Sequence, residues 1–208
     1  EYSRRASKPV MYHTLRWWFY DCPDYQAWIR EAMGRYQEIL NWIVVNEGYS
    51  GGKPTMPYID ESFVLAREVR PYARLWYNGT LTDPYEQTMA LRLIEAGLAD
   101  GIGIQMHVNL NTDFTAYSGL LHCLKTMHTP WRVTELDCEI PDLSEWCITQ
   151  QALTYAHVVQ LCTDYDAEAL TVWGVADGIN KDWLPGSYPL PFGGDYQPKP
   201  AWAILTGE

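Results

Sequence analysis

Glu47 and Glu135 are the two side chains on which chemistry is expected to rest. Each closes a short apolar run, Val44-Val45-Asn46-Glu47 in one case and Val133-Thr134-Glu135-Leu136-Asp137 in the other. Two carboxyl groups facing one another suit glycosyl transfer with retention. One, protonated, helps a leaving group depart; the other, ionised, attacks the anomeric carbon. A lone glutamate at a strand end is more often a surface charge or a helix cap, but two in matching settings are harder to dismiss. Other polar residues recur at equivalent positions. Asn46, Asn78, Gln105 with His107, Asp137 and Trp173 each lie at the C-terminal end of an expected strand. Period-two alternation puts Gln105 and His107 on the same face of theirs.

The elements that must position these groups follow from hydrophobic patterning. Short apolar runs at 9–17, 42–46, 73–78, 101–107, 131–137 and 169–174 read as strands. Stretches with helical spacing lie between them at 25–39, 58–68, 84–99, 114–127 and 144–165. Regular alternation of this kind implies parallel strands joined by crossover helices. Chemistry at the C-terminal ends of several different strands is the arrangement of a (β/α) barrel. A doubly wound sheet would instead gather its site at one switch point behind a glycine-rich phosphate loop. Gly101-x-Gly103 runs on into a strand rather than opening a helix, so no such loop is present and a barrel is expected. The strands of Glu47 and Glu135 are separated by two others, which would set the glutamates roughly opposite each other at one mouth.

Composition narrows the partners. A net charge of −11 argues against nucleic acid, whose phosphates call for clustered Lys and Arg. No apolar run is long enough to cross a bilayer, so no membrane partner is expected. The residues from Glu1 to Pro9 are polar and basic with no apolar segment behind them; as they stand they are not a signal peptide. A mature secreted protein would look the same. Ten Trp and fifteen Tyr serve core packing first, yet a surplus of flat aromatic rings also suits a carbohydrate groove. The five cysteines (22, 123, 138, 147 and 162) include no CxxC pair and no zinc-finger spacing. Metal binding is not expected, and one or two disulfides would leave a thiol over.

At its motifs the chain resembles the glycoside hydrolase family 10 xylanases. The family's acid/base motif W-x-V-V-N-E stands here as Trp42-Ile43-Val44-Val45-Asn46-Glu47, and its nucleophile motif T-E-L-D as Thr134 to Asp137. G-I-G-x-Q-x-H is present as Gly101 to His107. W-G-V-x-D appears as Trp173 to Asp177, followed by W-L-P-G as Trp183 to Gly186. Y-Q-P-K-P-A runs from Tyr196 to Ala201. The stretch from Met11 to Trp17 looks like the family's third strand. The resemblance covers nearly the whole chain and implies a (β/α)8 TIM barrel, here incomplete at about six βα units, forming a single catalytic domain over residues 1–208.

The resemblance also implies roles. Glu47 would be the general acid/base, its pKa raised by burial and by the charge of Glu135, and Glu135 would form the covalent glycosyl-enzyme. Asn46 would bond the sugar 2-hydroxyl. His107, backed by Asp137, would hold the nucleophile ionised, with Gln105 beside it. His13, Trp17, Trp173 and Trp183 would contact or stack on sugar. The implied substrate is xylan or a xylo-oligosaccharide, cleaved at internal bonds without a cofactor, in a secreted or extracellular setting.

Departures from the pattern matter. The two βα units that precede the third strand in the family, with an E-N-x-x-K motif, have no counterpart, so another chain that completes the barrel, loss, or replacement by other means all stay open. Trp18 occupies the place of a histidine, and Arg16 sits where an apolar residue is usual. Asn78 is followed by Gly79 and Thr80 where the family has N-D-Y, and the loop from Gly48 to Pro57 is short. Two alternatives therefore stand beside the xylanase reading. One is a catalytically impaired carbohydrate-binding or structural subunit; the other is a retaining β-glycosidase of different specificity.

Overall fold

The computed structural model describes residues 10–17, 23–178 and 183–207. Trp18 and Cys22, both singled out above, lie outside the described residues. The chain divides into two compact units, Glu1–Gly103 and Ile104–Glu208.

In the first unit the strands are β1 (Met11–Tyr12), β2 (Arg16–Trp17), β3 (Asn41–Asn46), β4 (Tyr49–Ser50), β5 (Lys53–Pro54) and β6 (Arg74–Gly79). The helices are α1 (Tyr25–Arg35), α2 (Ile59–Val69) and α3 (Pro84–Glu95). Strand β3 is the hub. Both β1 and β2 pair with it in parallel, Met11 opposite Asn41 and Arg16 opposite Val45, and β6 pairs with it in parallel as well. Residues 42–46 of β3 and 75–79 of β6 are buried throughout, as parallel strands covered on both faces must be. Trp42, Trp76, Phe63, Ile29 and Met33 fill this core with no exposed surface to speak of.

Several boundaries differ from the expectation for local reasons. The single strand expected at 9–17 is split into β1 and β2, and between them the Thr14 hydroxyl (3.0 Å) and the Leu15 N–H (2.9 Å) both donate to the Ile43 carbonyl. Helix α1 stops at Arg35 rather than 39. Its C-terminal turn is closed by Arg70, which donates to the carbonyls of Met33 (3.2 Å) and Gln37 (2.6 Å). Helix α3 ends at Glu95 because Gly97, at φ +67°, bonds back to Ile94 while Leu98 bonds to Leu93, both at 2.9 Å. That is a Schellman cap, which favours glycine at its left-handed position. The loop from Gly48 to Pro57 contains the hairpin of β4 and β5, turned by Gly51-Gly52 with both φ positive.

Arg16, in an apolar place by family pattern, is only 2% exposed. Its Nη1 donates to the Pro57 and Tyr58 carbonyls (2.8 and 3.2 Å) and to Ser62 Oγ (2.8 Å), and the guanidinium sits 4.3 Å from the Tyr25 ring centre. The cation is thus satisfied where it is buried, as it must be.

The second unit takes in most of β7 (Gly101–Asn109), together with β8 (Trp131–Glu139) and β9 (Leu170–Val172), in that order across the sheet. Its helices are α4 (Thr115–Thr126), α5 (Glu145–Asp164) and α6 (Pro200–Thr206). Strand β8 pairs with β9 in parallel, and Trp131, Tyr155, Leu121, Leu124 and Val158 are fully buried. The segment from Trp183 to Lys199 has almost no regular structure of its own and is tied down by side chains. Gln151 donates to the carbonyls of Cys138 and Tyr188 (both 2.8 Å), and Tyr155 donates to Pro189 (3.1 Å). Lys199 Nζ meets Asp177 Oδ2 at 3.0 Å and the Tyr188 carbonyl at 2.8 Å, while Asp177 Oδ1 accepts from Leu190 N at 2.9 Å. This buried ion pair joins the Trp173–Asp177 and Tyr196–Ala201 motifs.

Cys123, Cys138, Cys147 and Cys162 are free thiols. Among the described residues no helix is long and apolar enough to cross a membrane, and no group of three or more metal-ligating side chains occurs.

Candidate active site

Glu47 follows β3 directly and takes a left-handed backbone, φ +52°, a conformation that costs a non-glycine residue about 1–2 kcal/mol. Its peptide groups are pinned on both sides. The Glu47 N–H donates to the Asn78 carbonyl at 2.8 Å, and the Glu47 carbonyl accepts from Thr55 Oγ1 at 2.6 Å. The result turns the side chain toward Trp17, whose indole N–H donates to Glu47 Oε2 at 2.8 Å. Glycine is required next. A Cβ at Gly48 would stand 2.7 Å from Val45 Cγ1 and 3.2 Å from both Ile59 and Tyr77. Asn46, 3% exposed, accepts at Oδ1 from Asn78 Nδ2 at 2.6 Å, which sets the rotation of its amide. His13 lies exposed between β1 and β2.

The second unit gathers Gln105, His107, Glu135, Asp137, Trp173 and Trp183. Alternation along β7 does aim Gln105 and His107 the same way: Gln105 Nε2 donates to Glu135 Oε1 (3.2 Å) and His107 Nε2 reaches Glu135 Oε2 (3.2 Å). The other imidazole nitrogen, Nδ1, meets Asp137 Oδ2 at 3.0 Å. Burial alone pushes the His107 pKa down, but the hydrogen bonds and charges of Asp137 and Glu135 outweigh it and lift the value to about 9. At neutral pH His107 is therefore an imidazolium that donates from both nitrogens. It links two carboxylates that are themselves almost wholly buried.

Asp137 has a second task. Its Oδ2 also accepts from the Trp183 indole at 2.7 Å, so the loop tryptophan is oriented by the carboxylate behind His107. Trp183 and Trp173 stand edge to face with ring centres 6.5 Å apart, and the His107 ring lies 4.6 Å from Trp183 and 5.7 Å from Trp173. Each indole is a little over one third exposed, in contrast to the fully buried Trp42, Trp76 and Trp131. A cavity of about 520 Å³ opens beside them, walled also by Leu184, Pro185 and Leu190, within the range of small-molecule sites. Flat exposed rings beside buried, charge-assisted acceptors suit a ligand with apolar faces and hydroxyl edges.

Two residues escaped the sequence reading. Tyr77 is hidden in an apolar run, and Glu86 follows Asp83-Pro84, where an acid in a helix's first turn reads as a favourable dipole partner. Both are buried.

Comparison with known structures defines the class first. A GH10 endoxylanase retrieved from a sugarcane soil metagenome superposes with a TM-score of 0.87 at 22% identity, over 99% of this chain and 78% of that one. Xylanase 10B from Thermotoga petrophila RKU-1, solved in complex with xylobiose, superposes with a TM-score of 0.87 at 24% identity, over 99% and 75%. The fold is that of a (β/α)8 barrel, carried here by about six βα units. Within that class, the Glycosyl hydrolase family 10 profile matches residues 1–207, and the chain belongs to this family. Endo-1,4-beta-xylanase A of Thermotoga neapolitana is 26% identical over the full length of the chain, which spans about a quarter (24%) of that relative.

Proposed function

We propose that this chain carries the catalytic pair of a retaining endo-β-1,4-xylanase, with Glu47 as general acid/base and Glu135 as nucleophile. In the first step Glu47 gives its proton to the glycosidic oxygen while Glu135 attacks the anomeric carbon, and the leaving chain departs. In the second step Glu47 takes a proton from water, the water oxygen attacks the same carbon, and the ester to Glu135 breaks. Both steps run on carboxyl groups and water alone. Retention asks for about 5–5.5 Å between the two carboxyl groups.

The observation that carries the reading is the environment of Glu135. A nucleophile must be ionised and fixed, and this carboxylate is buried between an imidazolium and an amide donor, each on its own oxygen. Xylan, or its oligosaccharides, is favoured as substrate because relatives across the family carry the name endo-1,4-beta-xylanase and a structural neighbour holds xylobiose. Trp173 and Trp183 would stack on the sugar.

Glu135→Ala tests the proposal. The variant should fold, by near-ultraviolet circular dichroism, and lose all hydrolysis of xylan and of aryl β-xylosides. Retained turnover would end the proposal. Folded wild-type protein that binds xylo-oligosaccharides without cleaving them would instead favour the non-hydrolytic subunit.

A further inference from the structure

Glu47 is held at its two ends by two different segments. The Trp17 indole N–H donates to the carboxyl Oε2 at 2.8 Å, and the Thr55 hydroxyl donates to the Glu47 carbonyl at 2.6 Å. The Thr55 N–H donates as well, to the Gly48 carbonyl at 3.0 Å. One residue thus grips two consecutive carbonyls just where the backbone turns left-handed. Hairpin register decides that this residue is Thr55. Tyr49 lies opposite Pro54 and Ser50 opposite Lys53, with Gly51-Gly52 at the turn. Continued by one step, the same antiparallel register sets Gly48 opposite Thr55, the pair that the Thr55 N–H closes. A loop one residue longer or shorter would bring a different side chain to the Glu47 carbonyl.

A second set of bonds keeps Thr55 in place. Met56, next in the chain, is only 4% exposed, and the Pro57 and Tyr58 carbonyls accept from the buried Arg16 guanidinium at 2.8 and 3.2 Å. Arg16 is the neighbour of Trp17 in β2, and the two pair with Val45 and Asn46 at the end of β3 that leads into Glu47. The bonds therefore form a closed circuit. Strand β2 holds the Glu47 carboxyl through Trp17 and the 55–58 segment through Arg16; that segment holds the Glu47 backbone through Thr55. Arg16 and the short loop, both departures from the family pattern, meet in this one brace.

We infer that Thr55 is a positioning residue for Glu47, held in place by Arg16, and that it keeps the Glu47 carboxyl on the Trp17 indole. The acid/base role of Glu47 rests on the proposed function; the bonds that place it do not. A left-handed backbone is unfavourable for glutamate by itself and persists only while its surroundings fix it. Loss of the bond to its carbonyl frees the Glu47–Gly48 peptide to turn, and the carboxyl turns with it. Threonine carries a methyl beside its hydroxyl, so valine fills the same space and removes the bond, whereas serine keeps the bond.

The test uses the whole 208-residue chain as wild type, Thr55→Val, Thr55→Ser, Arg16→Leu and Glu47→Gln. The first readout is the Nε1–H resonance of Trp17 in 15N-labelled protein at neutral pH, assigned with Trp17→Phe. Thr55→Val should move it at least halfway to its position in Glu47→Gln, and Arg16→Leu should move it in the same direction. Thr55→Ser should leave it close to the wild-type position. A Thr55→Val resonance at the wild-type position overturns the inference, and an unmoved resonance in folded Arg16→Leu overturns the part given to Arg16. The second readout is kcat/KM on two aryl β-xylobiosides. A phenyl leaving group needs a proton, so Thr55→Val should lose about tenfold, part of the contribution typical of general acid catalysis. A 2,4-dinitrophenyl group departs without that help, and the loss should stay within about twofold. Thr55→Ser should recover the phenyl substrate to within about twofold of wild type. Equal losses on both substrates in Thr55→Val, or no recovery with serine, would point to general damage and overturn the inference. Wild-type protein that cleaves neither substrate, with the Trp17 resonance moving as described, would sink the hydrolase reading while supporting the positioning of Glu47.

Discussion

The imidazolium of His107 makes the stability of this protein depend on pH in a direction and window that follow from its surroundings. Its pKa in the folded state is about 9 against 6.5 for an unperturbed histidine. A group whose folded pKa is raised binds its proton more tightly in the native state. Its contribution is therefore complete below pH 6.5 and is lost as pH climbs through 9. Two and a half units correspond to about 3 kcal/mol at full protonation, falling to about 2 kcal/mol near pH 7.5 and to almost nothing above pH 9.5. The side chain is 19% exposed, so solvent screening removes only part of this. The assay is urea unfolding at intervals from pH 6 to 10 for wild type and His107→Gln, comparing the two at each pH. The comparison matters because Cys162 and Cys138, raised by burial to about 11 and about 12, also lose stabilisation at alkaline pH. The difference between the proteins should shrink steadily between pH 6.5 and 9, and the His107 Cε1–H resonance should titrate near 9. A midpoint at or below 6.5, or a difference that does not change with pH, would refute the reasoning that both carboxylates hold the proton on His107.

Two further outcomes concern buried cations. Arg16→Leu restores the residue type usual at that place but strands the Pro57 carbonyl and takes from Ser62 Oγ the donor that Arg16 supplies, though its own bond to the Tyr58 carbonyl stays; it should cost about 2–3 kcal/mol in urea unfolding despite the better hydropathy. Lys199→Met leaves Asp177 buried without its cation and should cost about 3–5 kcal/mol. Lys199→Met/Asp177→Leu should recover much of that loss, since it removes the uncompensated charge together with its partner.

Much of the fold was legible because parallel strands buried on both faces and helices with one buried face write strong, short-range patterns. The strands ending at Asn46 and Gly79, and those holding Gln105, His107 and Glu135, were readable from apolar runs alone. Boundaries were less so. The end of α3 depends on Gly97 adopting a left-handed turn, a signal that was present in the sequence, whereas the end of α1 depends on Arg70, which lies more than thirty positions away.

By itself, then, the sequence determined the alternation of strands and helices and the placement of Glu47 directly after one strand and of Glu135 within another, since both are encoded by neighbours a few residues apart. Tertiary structure decided what surrounds those carboxylates. Trp183 finds Asp137 across 46 positions, Arg16 finds Ser62 across another 46, and Glu86 finds Tyr77 only because a helix folds back over its strand and Gly79 leaves the space. Periodicity reports which face of an element is buried. It carries no record of which polar group, far along the chain, waits there to be paired, and that pairing is what sets the charge on His107 and the posture of Glu47.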